Sequence, residues 1–125
     1  MKKGIVVVGH GSRATINEAN DMVFEITQQV KEKAGHDLVE TAIMNRMAKL
    51  QGLEEAVDKL IDKGAECITV APMFFANGAH IQSDIPEMVR LIQAKYPGVV
   101  ISIAGHIGAD PRIADILLDR VNEVS

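Results

Sequence analysis

The sequence predicts an α/β domain built on a parallel sheet with helices on both faces. Three observations carry that expectation. Short β-branched runs alternate with amphipathic helical stretches four times along the chain. The first run, Ile5-Val6-Val7-Val8, is apolar at every position, as in a strand buried on both faces. The chain has 125 residues, 47% of them hydrophobic, which suits one domain over residues 1–125 with a substantial core.

The elements follow in order. After Ile5–Val8 the chain turns through Gly9-His10-Gly11, and Thr15-Ile16-Asn17-Glu18 reads as a capping box opening a helix. The expected apolar stripe of that helix is Met22, Val23, Ile26 and Val30, and Gly35 ends it. Leu38 to Ile43 is the second strand. A polar loop from Met44 to Gly52 leads to a helix with Leu53, Ala56, Val57, Leu60 and Ile61 on one face, stopped at Lys63-Gly64. Cys67 to Ala71 is the third strand.

Ser83-Asp84-Ile85-Pro86 starts the third helix, with Asp84 as its cap and proline early, where a missing N–H does no harm. Met88, Val89 and Ile92 continue its stripe, and Tyr96-Pro97-Gly98 ends it. Val99 to Ala104 is the fourth strand. Asp110-Pro111 opens a last helix with Ile113, Ile116, Leu117 and Val121 on one face. Right-handed crossovers then give a parallel sheet with helices on both faces, and the expected strand order is the flavodoxin-like 2-1-3-4. In that order the first and third strands are neighbours, and their C-terminal ends flank the point where such sheets bind ligands.

Composition narrows the function. Aromatic residues are only 3%, so the core must be aliphatic. Thirteen Lys and Arg against 17 Asp and Glu leave a net charge of −4, which argues against a nucleic-acid partner. Cys67 is the sole cysteine, so no intrachain disulfide forms, and its setting reads as a buried strand. A lone thiol suits a reducing compartment. No apolar stretch reaches the roughly 20 residues of a membrane span, and Met1-Lys2-Lys3-Gly4 leads straight into a strand. The expectation is a cytoplasmic protein without a membrane partner.

Two histidines dominate the candidate site. His10 follows the first strand in Val8-Gly9-His10-Gly11-Ser12-Arg13, and His80 follows the third in Phe74-Phe75-Ala76-Asn77-Gly78-Ala79-His80. In a parallel sheet both belong to one edge. Imidazole binds borderline transition metals and accepts protons near neutral pH. Alternatives stay open: the first turn also suits a phosphate cradle at a helix N-terminus, and His80 alone also suits a rim or capping role. It lacks the lysine of a P-loop and the spaced glycines of a dinucleotide fingerprint. No Gly-x-Ser-x-Gly elbow is present. His106 reads as a rim residue and His36 as solvent-exposed at the opposite edge. Arg13, Arg46 and Lys49 are positive groups near the active edge, either solvated or placed for ligand carboxylates.

Together, Val8-Gly9-His10-Gly11-Ser12-Arg13, Pro72 through His80 with Asp84-Ile85-Pro86, and Ile107-Gly108-Ala109-Asp110-Pro111-Arg112 resemble the short class II chelatases. These are the small sirohydrochlorin cobaltochelatases and their nickel-inserting relatives. The resemblance spans nearly the whole chain. It implies a homodimer of flavodoxin-like units, each equivalent to half of a duplicated long form. It implies that His10 and His80 bind the incoming metal, with His10 as proton acceptor. It also implies that Phe75, Ala76, Asn77, Gly78 and Ala79 line the tetrapyrrole; Arg13 and Arg46, as positive groups near that edge, and Asn45 beside Arg46 are the further candidate substrate contacts. Co²⁺ or Ni²⁺ would be a substrate metal, with no cofactor permanently bound. In one place the chain departs from the pattern: Asn45-Arg46 stands where the family usually carries a glutamate, and the proline that follows it is missing. A carrier of metal or tetrapyrrole without turnover, or a phosphate-ligand binder, is the competing reading.

Overall fold

The computed structural model describes residues 2–12, 18–76, 78 and 83–125. Its elements run β1 (Lys3–Gly9), α1 (Glu18–Ala34), β2 (Val39–Ile43), a 3-10 turn (Arg46–Ala48), α2 (Leu53–Asp62), β3 (Cys67–Pro72), α3 (Ile85–Lys95), β4 (Val100–Ile103) and α4 (Pro111–Glu123). The strands form one parallel sheet in the order β2-β1-β3-β4. The expected order is thus the observed one, and the C-terminal ends of β1 and β3 lie side by side. The capping box expected at residues 15–18 falls mostly outside the described residues.

One face of the sheet carries the main core. Val6, Val8, Ala42, Ile68, Val70 and Ile101 pack against Leu53, Ala56, Val57 and Leu60 of α2 and Ile85, Val89 and Ile92 of α3. Side chains of this type stabilise the fold by about 1.5–3 kcal/mol each when fully buried. Lys95 and the Tyr96 hydroxyl both donate to Asp58, tying the end of α3 to α2.

The other face is only partly covered. Val7, Val39 and Ile43 pack against Val23 of α1. The buried stripe of α1 differs from the expected one. It is Asn20, Val23 and Thr27, with Ile26 and Val30 half-buried and Met22 exposed. The two polar members are buried because each is satisfied. Thr41 donates to Thr27 across the α1–β2 contact at 2.8 Å, and Thr27 donates to the Val23 carbonyl at 2.8 Å.

The last helix corrects a second expectation. Asp110 caps α4 as expected, accepting from the Arg112 amide at 2.9 Å, and Pro111 follows. Yet α4 buries no residue. Ile113 is half-buried, while Ile116, Leu117 and Val121 of the expected apolar face are half or more exposed. Strand register puts Cys67 and Thr69 of β3 beside Val100 and Ser102 of β4, on the same sheet face as Ile5 and Val7. There Thr69, Val100 and Ser102 are exposed. Cys67 is therefore half-buried, where a fully buried thiol is expected, because among the described residues α1 covers only the β1–β2 side of that face.

At α3 the expected Asp84 cap is not formed. Asp84 has helical backbone angles (φ −67°, ψ −48°) and makes no capping hydrogen bond. A cap needs extended backbone to bring its side chain onto the first amides.

Candidate active site

The turn after β1 is built by close approach. A Cβ at Gly9 would lie 2.4 Å from Val23 Cγ2, so glycine there lets α1 close onto the strand end. Gly11 has φ +82°, and a Cβ there would lie 2.2 Å from Ile43 Cγ2. Only glycine combines that backbone with that contact. The result is a tight turn that presents His10 on the exposed edge of the sheet.

The backbone on either side of His10 is pinned. The Met44 amide donates to the Gly9 carbonyl at 2.9 Å, and the Asn45 amide donates to the His10 carbonyl at 2.8 Å. The Ser12 amide donates to Asn20 Oδ1 at 2.8 Å, and Asn20 Nδ2 donates back to the Ser12 carbonyl at 2.9 Å. Asn20 is 1% exposed. Reading helices by apolar period misses this residue. Its signal is a polar side chain in the buried i, i+3, i+7 row with Val23 and Thr27.

The His10 ring sets its Nδ1 3.0 Å from the Gly11 carbonyl. A carbonyl only accepts, so this contact is a hydrogen bond in the tautomer that carries its proton on Nδ1. In that tautomer the lone pair is on Nε2.

Asn45 is half-buried beside this turn. Its side chain caps the 3-10 turn, accepting from the Met47 amide at 2.9 Å, so it is engaged within its own loop. Lys49 closes that turn with φ 55° and ψ 36°, a left-handed conformation for a residue with a side chain. Such a conformation costs roughly 1–2 kcal/mol, against 0.5–1 kcal/mol for the extra chain entropy of glycine. Lys49→Gly is therefore expected to raise stability by about 0.5 kcal/mol. A urea midpoint that falls would contradict this.

Arg46 is exposed and lines two clefts. One, of about 640 Å³, also contains Lys49, Lys59, Leu53 and Met88. The other, of about 370 Å³, contains Asp84, Glu87 and Leu91. Arg46 and Lys49 thus line one cleft beside the end of β2, while Arg13, the third of the expected group, lies outside the described residues. Phe75 is 65% exposed, and Ala76 and Gly78 are exposed as well. Arg13, Asn77, Ala79 and His80 lie outside the described residues.

His106 is half-buried in a shallow cleft with Ile107, Asp110 and Arg112. Side-chain and backbone hydrogen bonds from Arg112 hold the Asp110 carboxyl well below the usual carboxylate range. His36 is exposed and accepts from the Leu38 amide. Among the described residues no three His, Cys, Asp or Glu side chains cluster to hold a metal. No helix among them is long and apolar enough to cross a membrane.

An open parallel sheet with a glycine-flanked histidine at its ligand-binding edge defines a class of small α/β proteins acting on a ligand at the switch point. The comparisons with known proteins make the class specific. The family model of CbiX matches residues 4–124, and the chain belongs to the CbiX family. It is 37% identical over 121 residues to the sirohydrochlorin cobaltochelatase of Sulfurisphaera tokodaii, covering 97% of this chain and 92% of that one. Its fold superposes with a TM-score of 0.88 on SirB from Bacillus subtilis with Fe³⁺, at 26% identity. That match covers 100% of this chain and 48% of the SirB chain. The sirohydrochlorin chelatase SirB from Bacillus subtilis subspecies spizizenii, in complex with cobalt, gives a TM-score of 0.86 at 27% identity, covering 99% of this chain and 51% of that one. The chain thus spans about half of a SirB chain and nearly all of the Sulfurisphaera relative.

Proposed function

We propose that this protein inserts a divalent metal, Co²⁺ first and Ni²⁺ next, into sirohydrochlorin. The observation that carries the reading is His10: an exposed imidazole on a pinned turn at the switch-point edge, in a chain belonging to the CbiX family. The reaction exchanges one M²⁺ for two pyrrole protons. It needs a metal held loosely enough to leave, a base for the protons, and a grip on the macrocycle. Neutral imidazole supplies the first two, since it ligates Co²⁺ or Ni²⁺ and titrates near neutral pH. On this reading His10 and His80 share the metal, and His10 accepts a proton. Phe75 through Ala79 form the apolar lining. Arg13, Arg46 and Lys49 meet the carboxylates of the macrocycle, and Asn45 contributes through its hold on the His10 carbonyl. The metal is a substrate that departs with the product, and the reaction belongs to the cytoplasm.

The test is anaerobic insertion followed by absorbance, with sirohydrochlorin and Co²⁺, Ni²⁺ or Fe²⁺ in turn. Repeated turnover with Co²⁺ is expected. A spectral shift that stops at one equivalent of protein would instead define a carrier. Binding of a phosphorylated ligand without metal, and no insertion, would favour a phosphate-binding module.

The same reading includes a homodimer. A single four-stranded sheet offers the macrocycle an edge, and a second copy turns an edge into a cleft. The exposed apolar face of α4, together with Thr69, Val100 and Ser102 on the uncovered sheet face, supports a second copy as the occupant. The SirB chain, twice as long, supports it too. Leu117→Asp combined with Val121→Asp is expected to convert dimer to monomer in light scattering. A wild-type mass of one chain at working concentration would refute the dimer.

A further inference from the structure

We propose that Asn20 is a positioning residue for metal capture: its side-chain amide clamps the peptide of Ser12 so that the Gly11 carbonyl fixes the His10 ring with Nε2 toward the incoming metal. The inference rests on the reading of His10 as a metal ligand, and it assigns a task to a residue that would touch neither metal nor macrocycle.

The geometry is a chain of fixed contacts. Asn20 stands in the first turn of α1, is 1% exposed, and uses both ends of its amide on one residue. Only a carboxamide offers an acceptor and a donor in that spacing. Gly11 sits between Ser12 and His10 with φ +82°, and its carbonyl lies 3.0 Å from Nδ1 of the His10 ring. The Asn45 amide holds the His10 carbonyl from the other side. With both ends of the Gly11 segment held, its carbonyl is presented to the ring in one direction and favours the tautomer with the proton on Nδ1. A ligating histidine whose second nitrogen donates to a fixed acceptor is oriented before the metal arrives. Packing alone does not explain Asn20, since leucine would fill the same buried position in the α1 row without the desolvation cost of an amide.

The experiment uses the full chain labelled with ¹⁵N-histidine. Long-range ¹H–¹⁵N spectra, with His10→Ala to assign the ring, read the tautomer without metal. Co²⁺ titration by its visible absorption reads affinity without tetrapyrrole. Wild type is expected to show the proton on Nδ1. Asn20→Leu is expected to mix the two tautomers and weaken Co²⁺ about 10-fold, with the insertion defect in KM for metal and little change in kcat. Asn20→Asp keeps the acceptor for the Ser12 amide and loses the donor, so it should fall between the two. Unchanged tautomer and Co²⁺ affinity in a folded Asn20→Leu protein would overturn the proposal. If both variants fail to fold, the wild-type spectrum decides: a proton on Nε2 overturns it, and one on Nδ1 supports it. Wild type that binds no Co²⁺ would defeat the metal reading of His10 and leave the clamp to be judged by the tautomer.

Discussion

His10→Ala is expected to lower cobalt insertion by at least about 100-fold, the lower bound for loss of a positioned base, while leaving the fold intact. The two halves of that expectation have separate physical grounds. His10 is exposed, and its Nδ1 lies 3.0 Å from the adjacent Gly11 carbonyl. Surface truncations of this kind change stability by roughly 0.5 kcal/mol or less. The turn itself is held through backbone, by the Met44 and Asn45 amides and by Asn20, and none of these contacts needs the imidazole. Loss of activity would therefore report chemistry and not collapse. His80→Ala is expected to behave alike, on the sequence pattern that pairs the two histidines. Insertion kinetics and a urea melt on the same preparations check both. Cobalt insertion by His10→Ala at the wild-type rate would remove His10 from the reaction.

Much of this architecture is legible in the sequence because burial on both faces leaves a plain mark. Val6, Val7 and Val8 are apolar in succession since Val6 and Val8 face α2 and α3 while Val7 faces α1. Right-handed crossovers narrow the sheet to a few orders, and the flavodoxin-like one among them is the order observed. What the apolar pattern misreads is α1. Asn20 and Thr27 are buried there because Ser12 and Thr41, distant in sequence, satisfy them. A count of apolar positions cannot register a partner that lies across a turn or on a strand. The last helix is the opposite case. Its amphipathic face is evident from Ile113, Ile116, Leu117 and Val121, yet periodicity says only that a face is apolar, never what covers it. At the site, glycine spacing marks His10 correctly as a presented side chain. The hold of the Asn45 amide on the His10 carbonyl involves no side chain, so no residue type records it.

Gly11→Ala should be among the most damaging single-methyl changes available in this chain, costing about 2–6 kcal/mol, the sum of backbone strain and overpacking of roughly 1–3 kcal/mol each. Both penalties act at once. With φ at +82° an alanine is strained whatever space surrounds it. Its Cβ would also lie 2.2 Å from Ile43 Cγ2 and 2.9 Å from Asn20 Oδ1. Ile43 is 4% exposed at the end of β2 and Asn20 is 1% exposed, so neither has room to retreat. Gly9→Ala is a useful contrast. Its Cβ would meet Val23 Cγ2 at 2.4 Å, but its backbone carries no positive φ, so overpacking acts alone and the cost should be about 1–3 kcal/mol. Urea unfolding of the two variants separates strain from contact. Adding Ile43→Ala to Gly11→Ala removes the closest clash and leaves the strained φ, so the Gly11 penalty should shrink in the double mutant without vanishing. A Gly11→Ala protein within 1 kcal/mol of wild type would mean that the turn relaxes freely. In that case neither Gly11 nor the clamp beyond it fixes the His10 ring.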